Sequence, residues 1–386
     1  MTLPKDDIEQ FHAISISRLA HRMAGEGRSV IHMEFGQPST GAAAPAIAAA
    51  RHVLDTDPMG YWESDALRAR IARHYSDTQS VEIDASRVLL TCGASPALVL
   101  ALLTAFSPGD RIVVARPGYV AYRNTLRALS MVPVEIDCGE DTRFQLSAAA
   151  IAAVVPPPAG VIIASPANPT GTIIEPAELQ RIVAVCRERG IRILSDEIYH
   201  GLCYGEPAQS ILRYDDDALV ISSFSKYFSM AGWRLGWVIA PKDLVGAARA
   251  RLGNLFLSPP SLSQHAALAS FDAIDELEGH LDTYRRNRAL LLEALPALGL
   301  GEIAPPDGAF YIYASVAHLT DDSLGFCTRL LNETGVATAP GIDFDPVAGN
   351  RFVRFSFAVA TPLIEEAIAR LAEWLPRQTL LADAAE

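Results

Sequence analysis

From about residue 88 onward, short apolar runs rich in β-branched residues alternate with longer stretches rich in alanine and leucine. The seven runs are RVLLT, DRIVVA, VPVEI, GVIIAS, IRILSD, ALVISS and LGWVIA. Alternation of this kind is typical of helices that cross over a parallel sheet, and runs that are apolar throughout indicate strands buried on both faces. The pattern predicts an α/β fold whose large domain has a mostly parallel seven-stranded sheet flanked by helices.

The pattern changes after about residue 275. The segment DELEGHLDTYRRNRALLLEAL predicts a charged helix, and DGAFYIYA, GVATAP and RFVRFSFA predict antiparallel strands before a closing helix. We therefore expect a large domain over residues 37–285. A smaller α+β domain would combine residues 1–36 with residues 286–386.

Charge and composition exclude several classes of partner. With 45 acidic and 32 basic residues, the net charge of −13 gives no general attraction for nucleic acid or for an anionic membrane. No stretch approaches the roughly 20 apolar residues that a membrane helix needs, and the N-terminus lacks a secretion signal. Five scattered cysteines without a C-x-x-C pair predict neither a zinc site nor a disulfide framework. A cytoplasmic protein is expected.

Polar residues follow several of the predicted strands. Asp196 ends IRILSD, Asn168 lies in SPANPTG after GVIIAS, and Lys226 follows ALVISSFS. Because ligands gather at the carboxyl ends of parallel strands, these side chains should converge at one edge of the sheet. Metal chemistry would need more carboxylates or histidines there, and the phosphate-binding pattern G-x-x-x-x-G-K-[ST] is absent, so no metal is expected at this edge.

Three motifs carry a resemblance to a known family. They are NPTG beginning at Asn168, SDEIY containing Asp196 and Tyr199, and S-x-S-K followed by G-W-R-L-G. In this order, between FGQP and RFVRFSFA, they make the chain similar to the class I/II aminotransferases, which are pyridoxal-phosphate-dependent proteins of fold type I. The resemblance implies a homodimer that uses pyridoxal 5′-phosphate. It would move an amino group between an L-amino acid and a 2-oxo acid by a ping-pong mechanism.

The resemblance assigns a role to each residue that contacts the cofactor ring. Lys226 would bind the cofactor aldehyde covalently and, once displaced by substrate, move the proton as a base. Asp196 would pair with the pyridine nitrogen, and Tyr199 and Asn168 would hydrogen-bond the phenolic oxygen. Tyr119 would stack on the ring. Partial burial beside cations should lower the pKa of Lys226, as a base requires.

The family pattern also implies a phosphate site and a substrate site. Arg234, the Ser223 hydroxyl and the backbone amides of Ala94 and Ser95 at a helix start would hold the phosphate. Tyr61 would reach the phosphate of the neighbouring subunit, although the segment YWESDALR is shorter than the family usually has. Arg354 would bind the substrate α-carboxylate, together with Asn168 and the backbone of Gly36.

The sequence leaves the substrate and part of the reaction open. Relatives that act on dicarboxylates use a second arginine, and both Arg123 and Arg251 are available for it. The segment NLFLSPPSLSQ is expected to line the site, and its largely apolar or small residues favour substrates with neutral or apolar side chains. The same scaffold also serves C–S β-lyases and related elimination enzymes. A non-catalytic module that senses the cofactor is disfavoured, because such modules carry a DNA-binding segment and fewer than 40 residues precede FGQP.

Overall fold

The structure is a computed structural model that describes residues 8–383. Twelve α-helices occur in this part of the chain: α1 His12–Gly25, α2 Ala44–Thr56, α3 Asp65–Gln79, α4 Ala94–Ala105, α5 Val120–Ala128, α6 Ala148–Ala153, α7 Pro176–Arg189, α8 Val245–Leu255, α9 Ser261–Ser270, α10 Ile274–Ala297, α11 Ser323–Thr334 and α12 Thr361–Asp383. The described strands are β1 Ile31–His32, β2 Val88–Thr91, β3 Arg111–Arg116, β4 Val132–Asp137, β5 Gly160–Ala164, β6 Arg192–Asp196, β7 Leu219–Ser223, β8 Gly236–Ile239, β9 Tyr311–Ser315, β10 Val336–Ala337, β11 Ala339–Pro340 and β12 Phe352–Ser356.

All seven predicted apolar runs lie in one seven-stranded sheet, in the order β2-β8-β7-β6-β5-β3-β4. Strand β8 runs antiparallel between β2 and β7, and the other neighbours are parallel. The mostly parallel α/β prediction is confirmed. Complete burial of every run is wrong for β4, where Val132 is 46% exposed, because an edge strand has a neighbour on one side only.

The two faces of this sheet are covered by different helices. Along β7, Val220 packs into a core with residues of α3, α7 and α9, whereas Leu219 and Ile221 pack into a second core with residues of α4 and α8. Successive side chains of a strand point to opposite faces, so a run that is apolar throughout supplies both cores. The sheet is therefore fixed from both sides, and its carboxyl edge is left to the connecting loops.

A third apolar core joins the N-terminal helix α1 to α10, α11 and α12 around a three-stranded antiparallel sheet of order β11-β12-β9. The segment GVATAP departs from its predicted single antiparallel strand. It forms β10, which pairs parallel with β1, and β11, which pairs antiparallel with β12. The proposed division at residues 36 and 285 stays a prediction. Residues 1–7 and 384–386 of the predicted small domain lie outside the described residues.

Candidate active site

The carboxyl ends of β5, β6 and β7 lie side by side, since these strands are parallel neighbours. Asn168 follows β5, Asp196 ends β6, and Lys226 follows β7. A cavity of about 320 Å³ opens at this edge, within the range of small-molecule sites. Phe11, before α1, and Arg354, on β12, also line it. The cavity thus lies between the carboxyl edge of the large sheet and two other segments, the one before α1 and strand β12.

Ten of the twelve residues that the sequence predicted for the site line this cavity. They are Gly36, Ala94, Ser95, Tyr119, Asn168, Asp196, Tyr199, Lys226, Arg234 and Arg354. The two others, Ser223 and Tyr61, do not line it. These ten residues come from eight separate segments of the chain and share one cavity.

Ser223 and Tyr61 lie elsewhere for different reasons. The buried Ser223 hydroxyl accepts a hydrogen bond from the Ser225 amide at 3.1 Å and borders an adjoining cavity, whereas Ser225 lines the main one. The Ser223 hydroxyl, which the sequence predicted at the phosphate, thus does not line the main cavity. Tyr61 lies on the surface and is 86% exposed. Its reach into a neighbouring subunit stays a prediction.

The Lys226 amine faces the cavity in a cationic environment. Its Nζ donates a hydrogen bond to the backbone oxygen of Gly36 and lies 5.7 Å from the centre of the Tyr199 ring. Burial, together with the positive charges of Arg354 and Arg234 and against the opposing charge of Asp196, lowers the pKa of Lys226 to about 8. A substantial fraction of this amine is therefore neutral near physiological pH, as a nucleophile or base requires.

This pKa makes a direct prediction for the protein without any bound ligand. Because the folded-state pKa lies below the ordinary 10.5, the neutral amine should form as the pH rises through about 8. Reaction with acetic anhydride over a pH series, followed by mass spectrometry of the peptide that contains Lys226, should give a midpoint near that value. Lys226→Ala provides the background for the assay. A midpoint near 10.5 would show that the amine is not held in a cationic, dehydrated environment.

Asp196 is a buried carboxylate with neutral partners only. Its Oδ2 accepts from the Tyr122 hydroxyl at 2.6 Å, and its Oδ1 accepts from the Ile198 amide at 3.1 Å. Burial raises the pKa of Asp196 to about 6, although both hydrogen bonds lower it. No cation within 4 Å pairs with Asp196 among residues 8–383. A cationic group of a ligand would complete this site.

Two tyrosines with adjacent hydroxyl groups also line the cavity. The Tyr199 and Tyr311 hydroxyls lie 2.6 Å apart, and burial raises the pKa of Tyr199 well above its ordinary value. Gly36 passes directly over this pair, and a Cβ at this position would overlap the Tyr311 hydroxyl. The glycine is required here because the backbone approaches the cavity too closely for a side chain.

Backbone amides and a guanidinium lie together at the start of α4. Gly93, with φ of +102°, precedes the helix, and Ala94 and Ser95 form its first turn at the cavity wall. The Arg234 guanidinium lies beside them, and a Cβ at Gly93 would be 2.6 Å from Arg234 Nη2. In the part of the chain that the structure describes, Arg234 donates to two backbone oxygens, of Ala231 at 2.9 Å and Cys92 at 3.4 Å. Free helix-start amides beside a guanidinium favour a phosphate.

Arg354 is a buried cation, with 2% of its surface exposed. Its Nη1 donates to Asn168 Oδ1 at 2.8 Å and its Nη2 to the Glu34 backbone oxygen at 2.6 Å. Its buried Nε has no hydrogen-bond partner in the described part of the chain. A buried guanidinium with an unused donor, and with no carboxylate oxygen within 4 Å among residues 8–383, fits an anionic ligand.

The profile of the family described as aminotransferase class I and II matches residues 29–371. The chain belongs to the class I and II aminotransferases. Members of this family depend on pyridoxal phosphate.

Known aminotransferases are similar over almost the full chain. A valine–pyruvate aminotransferase of Mycobacterium tuberculosis is 46% identical and covers 90% of this chain and 92% of its own. An aspartate aminotransferase of Sulfurisphaera tokodaii is 31% identical and covers 91% of each chain. The crystal structure of an aminotransferase from Mycobacterium tuberculosis has a TM-score of 0.94 at 43% identity and covers 98% of this chain and 99% of its own. Solved aminotransferases thus confirm fold type I.

Arg123 and Arg251, the two arginines considered for a second substrate carboxylate, both lie outside the cavity of this aminotransferase. Arg123 is buried, pairs with Glu9 at 2.6 Å and donates to the Asp343 backbone oxygen at 2.9 Å. Arg251 is exposed on α8, and its Nη1 donates to the Ala247 oxygen at 3.2 Å. Neither lines the cavity.

Tyr122, Tyr311 and Phe11 are among the lining residues of the aminotransferase cavity that the sequence did not single out. Tyr122 bonds Asp196, Tyr311 bonds Tyr199, and Phe11 covers one side. The spacing of Tyr119 and Tyr122, three residues apart at the start of α5, was the available signal for Tyr122, because such residues share a helix face. Tyr311 and Phe11 had no local signal, since only tertiary packing brings them here.

Proposed function

We propose that this aminotransferase uses pyridoxal 5′-phosphate to exchange an amino group between an L-amino acid with an uncharged side chain and a 2-oxo acid. The observation that carries the proposal is the supply of guanidinium groups in the cavity. Arg234 and Arg354 are the two arginines among its described lining residues. The cofactor phosphate would use Arg234, and the substrate α-carboxylate would use Arg354. A side-chain carboxylate would therefore lack a partner, whereas an apolar group would not.

The residues present fit the phosphate of this cofactor. Backbone amides at the start of α4 and the exposed guanidinium of Arg234 meet at Gly93, whose lack of a side chain leaves room for the guanidinium. These donors would bind the phosphate and set the depth of the cofactor in the cavity. They also explain how a chain of net charge −13 can hold a polyanion, because the positive potential is local.

The residues also fit the ring. Bound pyridoxal phosphate supplies an aldehyde and a ring that accepts electrons from the substrate. Asp196 would take the protonated ring nitrogen as the cation that it lacks, with Tyr122 holding the carboxylate in place. Asn168 accepts from Arg354 through Oδ1, which leaves its amide hydrogens for the phenolic oxygen, near Tyr199. Tyr119 would pack against the ring face.

The chain's own groups would then orient substrate and move the proton. Arg354 would bind the α-carboxylate, with its unused Nε and the nearby Gly36 backbone facing the same group. Lys226 Nζ would accept the α-proton in its neutral form and return it during the same half-reaction. One cavity serves both half-reactions, so the oxo-acid product of the first would leave before the second oxo acid binds.

The substrate side chain would meet a largely apolar wall. Phe11, Phe35, Leu98 and Ile198 line the cavity beside its aromatic hydroxyl groups. Arg123, which lies on the neighbouring helix α5, is already neutralised by Glu9. The 46% identical relative is described as a valine–pyruvate aminotransferase, which supports valine-type donors and pyruvate as the acceptor here.

A panel of amino donors tests this specificity. L-Leucine matches the branched shape of L-aspartate without its charge, so we expect kcat/KM for leucine and valine to exceed that for aspartate by at least about tenfold, because the carboxylate would be buried unpaired. The cofactor absorbance change in single half-reactions measures this ratio. Equal or faster reaction with aspartate would contradict the proposal. Pyruvate released from L-cysteine without an oxo acid would instead favour elimination.

We further propose that the protein is a cytoplasmic homodimer. Exposed apolar side chains of Tyr61, Trp62, Leu255 and Leu257 lie on neighbouring segments, which the Ser261 hydroxyl joins by donating to the Gly60 oxygen at 2.8 Å. Exposed apolar patches of this kind favour an interface between subunits. Within residues 8–383, no helix is long and apolar enough to cross a membrane.

A further inference from the structure

A cluster of three potential metal ligands lies beside the chain segment that leads into the active site. His21 on α1, His32 on β1 and Glu34 each offer a ligand atom, and these atoms lie within 4.8 Å of one another. We propose that these three residues form a binding site for a divalent transition-metal ion such as Zn²⁺. The His21–His32–Glu34 site is independent of the proposed transamination.

The spacing of the ligand atoms suits such an ion. Zinc takes nitrogen and carboxylate oxygen ligands at about 2.0–2.2 Å, so two ligands of a tetrahedral site lie about 3.4 Å apart. His32 Nδ1 and Glu34 Oε1 are 2.9 Å apart, and the widest separation in the cluster stays within 4.8 Å. The spacing of about 3.4 Å that the ion requires falls between 2.9 Å and 4.8 Å. Small side-chain rotations would therefore bring all three atoms into one coordination sphere.

Glu34 provides an independent sign of a missing ligand. Its side chain is fully buried, with 0% of the residue exposed. Oε1 contacts His32, but Oε2 is buried without any hydrogen-bond partner in the described part of the chain. A buried carboxylate oxygen left without a partner is costly. A cation bound between Glu34 and the two imidazoles would satisfy it.

His21 is oriented as metal-binding histidines are. Its Nδ1 lies 2.8 Å from the Ser17 backbone oxygen, which can only accept, so Nδ1 carries the proton. The lone pair is then on Nε2. A ligating histidine commonly donates its other ring N–H to a carbonyl in this way. The His21 ring is exposed and lies 4.6 Å from the His32 ring, centre to centre, which leaves access for the ion and for a water as fourth ligand.

The ligand set selects the class of ion. Two imidazoles and one carboxylate suit Zn²⁺ and neighbouring first-row ions, whereas Mg²⁺ and Ca²⁺ prefer oxygen ligands alone. The scattered cysteines gave no sign of this site. The ligands come from α1, from β1 and from the segment directly after β1, which meet only in the folded chain. A bound metal ion would link the N-terminal helix α1 to β1 and to Glu34, which lies two residues before Gly36.

The test uses the cofactor-loaded protein without an affinity tag, treated with a chelator and then dialysed. Isothermal titration with Zn²⁺ should give about one equivalent bound with a Kd of about 10 μM or less, and Co²⁺ should give visible d–d bands. His21→Ala removes an exposed side chain and should weaken both signals at least about tenfold, as should His32→Ala. His52→Ala, which removes another exposed histidine on α2, should leave them unchanged.

Two results would overturn the site. The first is the absence of saturable binding near one equivalent in the wild-type protein, with Glu34 then served by the His32 imidazole alone. The second is a His21→Ala protein that binds Zn²⁺ and Co²⁺ as tightly as the His52→Ala control. Equal thermal stability of the two variants would show that both are folded, so either loss or retention of binding decides the matter.

Discussion

Replacing Lys226 with alanine should lower kcat for transamination by about 10⁴-fold or more, because it removes both the nucleophile and the base from the cavity. The chain has three lysines, Lys5, Lys226 and Lys242. Lys242 is exposed on the surface, and Lys5 lies outside the described residues. Lys226 is the lysine that lines the cavity, so no described amine can replace it. Steady-state turnover of valine with pyruvate measures the effect.

Two control variants separate amine chemistry from charge. Lys226→Arg keeps a positive charge near the Gly36 oxygen, but a guanidinium stays protonated at any working pH, so this variant should be as inactive as the alanine variant. Lys242→Ala should keep wild-type turnover. Activity above about 1% of wild type in Lys226→Ala, with the fold intact by thermal unfolding, would remove Lys226 from its proposed role.

The residues that the sequence predicted well are those set by strand direction. Asn168, Asp196 and Lys226 each follow or end a buried parallel strand, and the geometry of such sheets brings strand ends together whatever the side-chain packing. Ala94 and Ser95 are placed in the same way, since they begin α4 shortly after β2. Local pattern was sufficient for these positions because the sheet itself was predictable from its apolar runs.

The residues and contacts that the sequence did not reveal depend on packing between distant segments. Tyr311 reaches Tyr199 only because β9 pairs with β12 beside the large sheet. The split of GVATAP into β10 and β11 depends on β1, which is two residues long and has no apolar run of its own. The S-x-S-K motif predicted the Ser223 hydroxyl at the phosphate. In the structure this hydroxyl accepts a hydrogen bond from the Ser225 amide, a local contact that the motif did not reveal.

Electrostatics of the site also required the folded structure. Sequence indicated that Lys226 should have a lowered pKa, and the structure identifies burial as the main cause, with Arg354 second. The raised pKa of Asp196, about 6, was not foreseen, because it follows from burial beside neutral donors. Without a cationic ligand, both groups therefore titrate close to neutrality. A ligand that carries a positive ring nitrogen should lower the Asp196 pKa again and keep the carboxylate ionised.

Replacing Arg354 with alanine should lower kcat/KM for amino acids by roughly 10²- to 10³-fold, which is the usual cost of removing one partner of a buried charge pair. The guanidinium is buried, held by Asn168 and Glu34, and has one donor unused. Steady-state kinetics should show most of the loss in KM, because Arg354 binds a carboxylate that takes no part in bond breaking. Retained cofactor absorbance and thermal unfolding would verify that the variant is folded.

An amine without a carboxylate distinguishes this role from a structural one. Isobutylamine has the skeleton of valine without the α-carboxylate, so the wild-type protein should strongly prefer valine. In Arg354→Ala that preference should largely disappear, because isobutylamine never used the guanidinium and should react as it does in the wild type. Arg354→Lys keeps the charge but not the planar fork, and its preference should lie between the two. If Arg354→Ala still prefers valine by the wild-type ratio, the α-carboxylate binds elsewhere, and Arg354 serves only to hold Asn168 and the Glu34 backbone in place.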